Sequence, residues 1–344
     1  VTKSIWFWLL GASLFQGCYL TKQAFYQGKR FLSRRAVDEV LADTQVDSKI
    51  KTKLLQVQDM LTYAKSQGLR IENAYRTIIL IKDREPVSYL VQGAQPYKLI
   101  SKTWWFPIVG TVPYLGYFTP EERDQKASEL KADGYDIYLS EAAAFSSLGW
   151  FEDPLFSSML QRSRAHLADL IFHELTHRTF WAKDAATWNE QLASFVARKM
   201  TRSYLDHLGS PEAQIEKAQY EAWQEGRGRY AQWLEQLTQE LKDLYESERP
   251  LSEMEILKQG IFSRYLGELK IQWNVSSFVG DEPWNNATVL AESLYNPEFE
   301  RFDRSYTCSK AQTPGDFLKK IESHISTNQS VGQVLDLFCE ETHP

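Results

Sequence analysis

Apolar positions recur every three or four residues over residues 30–68, give way to short β-branched and aromatic runs between 75 and 118, and return to helical spacing beyond residue 154. Side chains three and four apart share one helical face, so the first stretch predicts two helices ending at Gly68. The runs "YRTIILI" (75–81), "SYLVQG" (88–93) and "WWFPIVGTVPYLGYF" (104–118), broken by Pro and Gly, predict the strands of a small sheet. In "PEERDQKASELKADG" (120–134), Thr119 as cap, Pro120 in the first turn and Gly134 as stop bound a helix. "YDIYLSEAAAFSSLGWF" (135–151) predicts a further extended pair with a bend near 146–149. Helices are then expected near 155–181, 187–208, 211–247 and 252–270. In the third, Tyr230, Trp233, Leu234, Leu237, Leu241 and Leu244 form one stripe, the pattern of core packing.

No repeat or low-complexity linker divides this pattern, which points to an α+β body with a small β-sheet packed on mostly helical structure. Its helical and β part runs to residue 153, and the helical part over 154–344. The chain has 344 residues, of which 43% are hydrophobic, enough to bury a full core. A net charge of −6, with acids and bases interspersed, leaves no basic face and argues against nucleic acid as a partner.

The N-terminus changes the expected compartment. "VTKSIWFWLLGASLFQGC" has Lys3, an apolar stretch from Ile5 to Phe15 and small residues before Cys18. That stretch is well short of the roughly 20 residues needed to span a bilayer, so residues 1–17 read as a signal peptide. "LFQGC" resembles a bacterial lipoprotein cleavage site with Cys18 lipidated, although Phe15 stands where leucine is usual. Tyr19 after Cys18 suggests, by analogy with Gram-negative lipoproteins, an outer-membrane anchor facing the periplasm. The two other cysteines, Cys308 and Cys339, then form an even pair in an oxidising compartment, the alternative being two buried thiols.

Two of the six histidines lie in "DLIFHELTHRTFW" (169–181). On a helix, His173 and His177 stack one turn apart with Glu174 beside them, which is zinc-site geometry. A catalytic zinc takes a third protein ligand and keeps a position for water. Glu190, at the start of the next expected helix in "WNEQLASFVARKM", is one candidate, and Asp184 on the intervening turn is the rival. His166 lies two turns before His173, too far for the same ion.

The segments "TWWFPIVGTVPYLGYF", "GYDIYLSEAAAFSSLGWFEDPLFSSML", "LIFHELTHRTFW" and "WNEQLASFVA", in this order, resemble the family of predicted zinc-dependent bacterial aminopeptidases over most of the chain from Cys18. The resemblance implies a zincin-like fold in one metallopeptidase domain, 18–344, with a gluzincin-like site. His173, His177 and Glu190 would ligate Zn²⁺ and Glu174 would be catalytic. The chain departs from the family pattern at Trp105 and Thr111, where cysteines are frequent, and at Leu115, where a basic residue is frequent. In this class a downstream Tyr or His commonly supports the oxyanion; "EPWNNATVLAESLY" offers Asn285, Asn286 and Tyr295, with Tyr295 the expected donor. Glu141, Glu152 and Asp153 are candidates for holding a substrate ammonium, against a reading as solvated loop charges. The expected function is an envelope aminopeptidase acting on peptides. A zinc endopeptidase or cell-wall peptide hydrolase shares the same site, and a non-enzymatic lipoprotein with a structural zinc is the alternative outside enzymes.

Overall fold

A computed structural model of the chain describes residues 32–81, 86–106, 109–142, 153–273, 283–294, 299–325 and 331–340. The signal segment with Cys18, the bend at 146–149, Glu152 and Tyr295 lie outside the described residues.

Helices α1 (Val37–Ala42) and α2 (Ser48–Ser66) occupy the first periodic stretch, and Gly68 turns the chain at a φ of 83°. Among the described residues the strands form three small sheets rather than the single one expected. β1 (Arg35–Ala36) pairs antiparallel with β2 (Thr77–Ile79), and β2 pairs parallel with β8 (Leu155–Phe156). β3 (Ser88–Ala94) is the centre of an antiparallel sheet, flanked by β6 (Leu115–Tyr117) and β7 (Asp136–Ala142). β4 (Trp104–Phe106) and β5 (Gly110–Val112) form a separate hairpin. Pro113, which donates no backbone hydrogen bond, ends β5 after three residues. Trp105 and Thr111, the two positions departing from the family's cysteines, are direct partners across that hairpin.

Helix α3 (Pro120–Ala132) keeps its predicted cap: the Glu122 amide donates to Thr119 Oγ1. The helix expected from 155 begins instead at Arg164. Leu155 and Phe156 are drawn into pairing with Ile78 and Ile79, a 3₁₀ turn follows at Met159–Gln161, and Ser163 caps α4 (Arg164–Thr179). An apolar run of this length suits a buried strand as well as a helix, and the parallel partner decides. Next come α5 (Ala186–Leu208), α6 (Pro211–Tyr245) and α7 (Leu251–Trp273). Among the described residues four shorter helices follow: α8 (Asn286–Leu294), α9 (Phe299–Cys308), α10 (Pro314–Ile325) and α11 (Val331–Glu340).

The main core lies where α2, α4 and α5 meet, through Leu54, Met60, Ile171, Phe172, Phe195 and Tyr204. Phe302, Phe317 and Phe338 bring α9, α10 and α11 onto it. The α6 stripe packs on Phe262, Tyr265 and Leu269 of α7 in a second cluster, while Val91, Leu115, Tyr117 and Leu130 form a third between sheet and α3. Cys308 and Cys339 are joined by a disulfide tying α9 to α11. Closing a loop of that separation constrains the unfolded chain by about 3–4 kcal/mol. Among the described residues no helix is long and apolar enough to cross a membrane.

Candidate metal centre

Helix α4 carries His173 and His177 on one face, and a short turn returns α5 alongside it. Asn189 brackets that turn: the Ala182 amide donates to its Oδ1 (2.9 Å), and its Nδ2 donates to the Ala182 carbonyl (2.7 Å). The next residue, Glu190, is thereby carried back to the histidines. His173 Nε2 lies 3.1 Å from Glu190 Oε2 and 3.1 Å from His177 Nε2, and His177 Nε2 lies 3.5 Å from Glu190 Oε2. These three residues form a group able to hold a metal ion.

The chemistry of the group supports that use. Two imidazole nitrogens and a carboxylate oxygen converge on one point, and His177 and Glu190 are buried at 6% exposure each. Facing Nε2 atoms cannot both present lone pairs without a proton or a cation between them. The histidines hold the Glu190 carboxyl well below the usual carboxylate range, outweighing the burial that alone would raise it. Beside them, burial pushes the Glu174 carboxyl up to about 7; the negative Glu190 and Asp153 add to this and His173 opposes it.

Three neighbours brace the centre. The Trp181 ring meets the His177 ring edge-on at 5.3 Å, and its Nε1 donates to the Val109 carbonyl in the β4–β5 hairpin. Asp184, the rival ligand, is engaged elsewhere: its Oδ1 accepts from the Thr111 amide (2.9 Å) and hydroxyl (3.0 Å). This clasp depends on Gly110, at a φ of 77°, because a Cβ there would sit 2.5 Å from Asp184 Oδ1. Behind His173, Tyr220 donates to Asp169 at 2.5 Å, and burial raises the Asp169 carboxyl.

Of the acidic candidates, Asp153 is no solvated loop charge. It is 4% exposed and pairs with Arg178 at 3.4 Å, an arginine on the metal helix that sequence reasoning passed over. Glu141 lies exposed on β7. Asn285 and Asn286 serve the fold: Asn285 caps α8 through the Ala287 amide and donates to the Ile137 carbonyl, while buried Asn286 accepts from Tyr245 and donates to the Gln95 carbonyl. His166 bonds its own cap residue Ser163 and packs against Trp223 at the start of α4. Asn189 was missed as well, although its place directly before Glu190 in "WNEQL" was a usable signal.

Residues 18–331 match the family model Aminopep, described as "Putative aminopeptidase". The chain belongs to that aminopeptidase family. Membership makes it a member of a peptidase family and places the His173–His177–Glu190 group within the matched segment. No curated protein and no solved structure matches the chain.

Proposed function

We propose that this chain is a zinc-dependent aminopeptidase of the bacterial cell envelope, held at the outer membrane by a lipid on Cys18 and acting on peptides in the periplasm. The observation that carries the reading is the triangle of donor atoms. Zinc bonds of about 2.0–2.1 Å at tetrahedral angles set ligand atoms about 3.3–3.4 Å apart. The edges here are 3.1, 3.1 and 3.5 Å, so the residues fit the ion without rearrangement. Among the described residues the group is two imidazoles and one carboxylate, which leaves a fourth position for water, the arrangement of a catalytic rather than a closed structural site.

When bound, the metal lowers the pKa of a water ligand and polarises a carbonyl. The remaining steps fall to the chain's own side chains. Glu174, next to His173 on α4, accepts the proton of the attacking water and passes it to the leaving amine. Glu190, held ionised, offsets the metal's charge, and Trp181 fixes the ring plane of His177. β7 pairs only with β3 among the described strands, which leaves an edge on which an extended peptide backbone can pair.

The test is Glu174→Gln in the full chain. Zinc content should stay at about one per chain while cleavage of an N-terminally free peptide falls at least about a hundredfold, the scale of a lost general base. Undiminished activity would refute the role of Glu174. Equal cleavage of free and N-acetylated peptides would refute the aminopeptidase reading in favour of an endopeptidase. For the anchor, Cys18→Ser should abolish palmitate labelling in a Gram-negative host, and persistent label would exclude it.

A further inference from the structure

Tyr75 sits between α2 and β2 with a buried side chain, 5% exposed, and a backbone φ of 59°. A left-handed conformation costs a residue with a Cβ about 1–2 kcal/mol, and bulky residues rarely adopt it. Such strain persists where the surroundings enforce it, and it concentrates at functional sites. Here the enforcement comes from the metal helix. Arg178 donates from one nitrogen to the Glu72 carbonyl and from another to Asp153 Oδ2, and the Tyr75 amide donates to the Asp153 carbonyl at 2.8 Å. Arg178 lies four residues after Glu174 and so on the same face of α4. The 72–75 segment is therefore fastened over the Glu174 face of that helix.

The hydroxyl of Tyr75 is the unusual part. Buried tyrosine hydroxyls ordinarily find a partner. Tyr63 has Ser203, Tyr204 has Asp59, Tyr220 has Asp169 and Tyr245 has Asn286. Among the described residues Tyr75 has none, while the Glu174 and Asp153 carboxylates act on it electrostatically. A strained backbone thus holds an unpaired tyrosine hydroxyl within the electrostatic reach of the Glu174 carboxyl.

We propose that the Tyr75 hydroxyl donates a hydrogen bond to the substrate carbonyl oxygen as it becomes an oxyanion, which makes Tyr75 a catalytic residue. The inference rests on the hydrolase reading given above. As the water oxygen bonds to the carbonyl carbon, the C=O π pair moves onto oxygen and is met by the tyrosine O–H, which keeps its proton. Glu174 takes the proton released by the water. When the carbonyl re-forms, the C–N bond breaks and that proton goes to the amine nitrogen. A donor aimed at charge that exists only in the transition state raises kcat rather than affinity for substrate.

Tyr75→Phe in the zinc-loaded full chain removes the hydroxyl and keeps the ring in its core position. We expect kcat to fall about 100- to 1000-fold, with KM changing less than about threefold. Zinc content and melting temperature should not change. Affinity for a phosphonamidate peptide, whose tetrahedral oxygen mimics the oxyanion, should fall by a similar factor, whereas affinity for product peptide should hold. A kcat within about threefold of wild type, or unaltered phosphonamidate binding, overturns the assignment and leaves the hydrolase reading standing. A wild type that cleaves no peptide and does not differ from Glu174→Gln overturns both.

Discussion

Gly110→Ala should loosen the clasp between the β4–β5 hairpin and the turn that follows the metal helix. An alanine Cβ at this position would lie 2.5 Å from Asp184 Oδ1 and 2.7 Å from the Asp184 amide nitrogen, inside any tolerated contact, and the second of these is backbone that cannot swing away. The φ of 77° adds a left-handed penalty of about 1–2 kcal/mol for an L residue. Moving Asp184 aside also breaks its bonds from the Thr111 amide and hydroxyl. These bonds are exposed, so about 0.5–1.5 kcal/mol is a fair share for them. Together these destabilise the fold by about 1.5–3.5 kcal/mol, felt first at the hairpin and at Trp181. Urea unfolding monitored by tryptophan fluorescence should show the lower midpoint, and hydrogen exchange should show lost protection over 104–112. Asp184→Ala, which removes the hydrogen bonds and leaves the glycine, should cost only the smaller part. If Gly110→Ala unfolds within about 0.5 kcal/mol of wild type, the close approach does not constrain the hairpin and the reasoning fails.

Glu190→Gln should weaken zinc binding at least about tenfold, because the amide supplies an oxygen without the charge, while Asp184→Asn should leave it near wild type; competition with a chromogenic chelator ranks the two, and the reverse order would restore Asp184 as ligand. In chelator, the Glu174 carboxyl near 7 against an ordinary 4.5 means that the folded chain holds a proton the unfolded chain has lost between those values. Stability of the metal-free chain should therefore fall as pH rises from about 4.5 to 7, and Glu174→Gln should flatten that slope; a slope unchanged in the variant would assign it to other groups.

The grouping of His173, His177 and Glu190 was more legible in the sequence than its surroundings were. His173, Glu174 and His177 are readable because one helical turn brings them together, and Glu190 because only a short turn intervenes. Asp153 looked like a loop charge because its compensating partner, Arg178, arrives from a helix whose orientation no local pattern encodes. Tyr75 is hidden for the same reason: its left-handed backbone is imposed by a bond to residue 153, not by its own neighbours. The α6 stripe announced itself by length, whereas Leu155 and Phe156 took a strand fate decided by Ile78 and Ile79. Asp184 shows a further limit, since both a ligand and a clasp want an acidic residue on that turn, and only its distant partners Gly110 and Thr111 distinguish them.

All three residues of the candidate metal centre come from one helical hairpin, with His173 and Glu190 separated by 17 positions. The entropy of closing so short a loop is small, and none of it depends on the distant strands or on the disulfide between α9 and α11. On the export and zinc reading proposed above, metal capture can then precede completion of the fold. On that same reading, α4 and α5 can pair around a bound ion before the last helices arrive, so the site's residues would also serve folding and not activity alone.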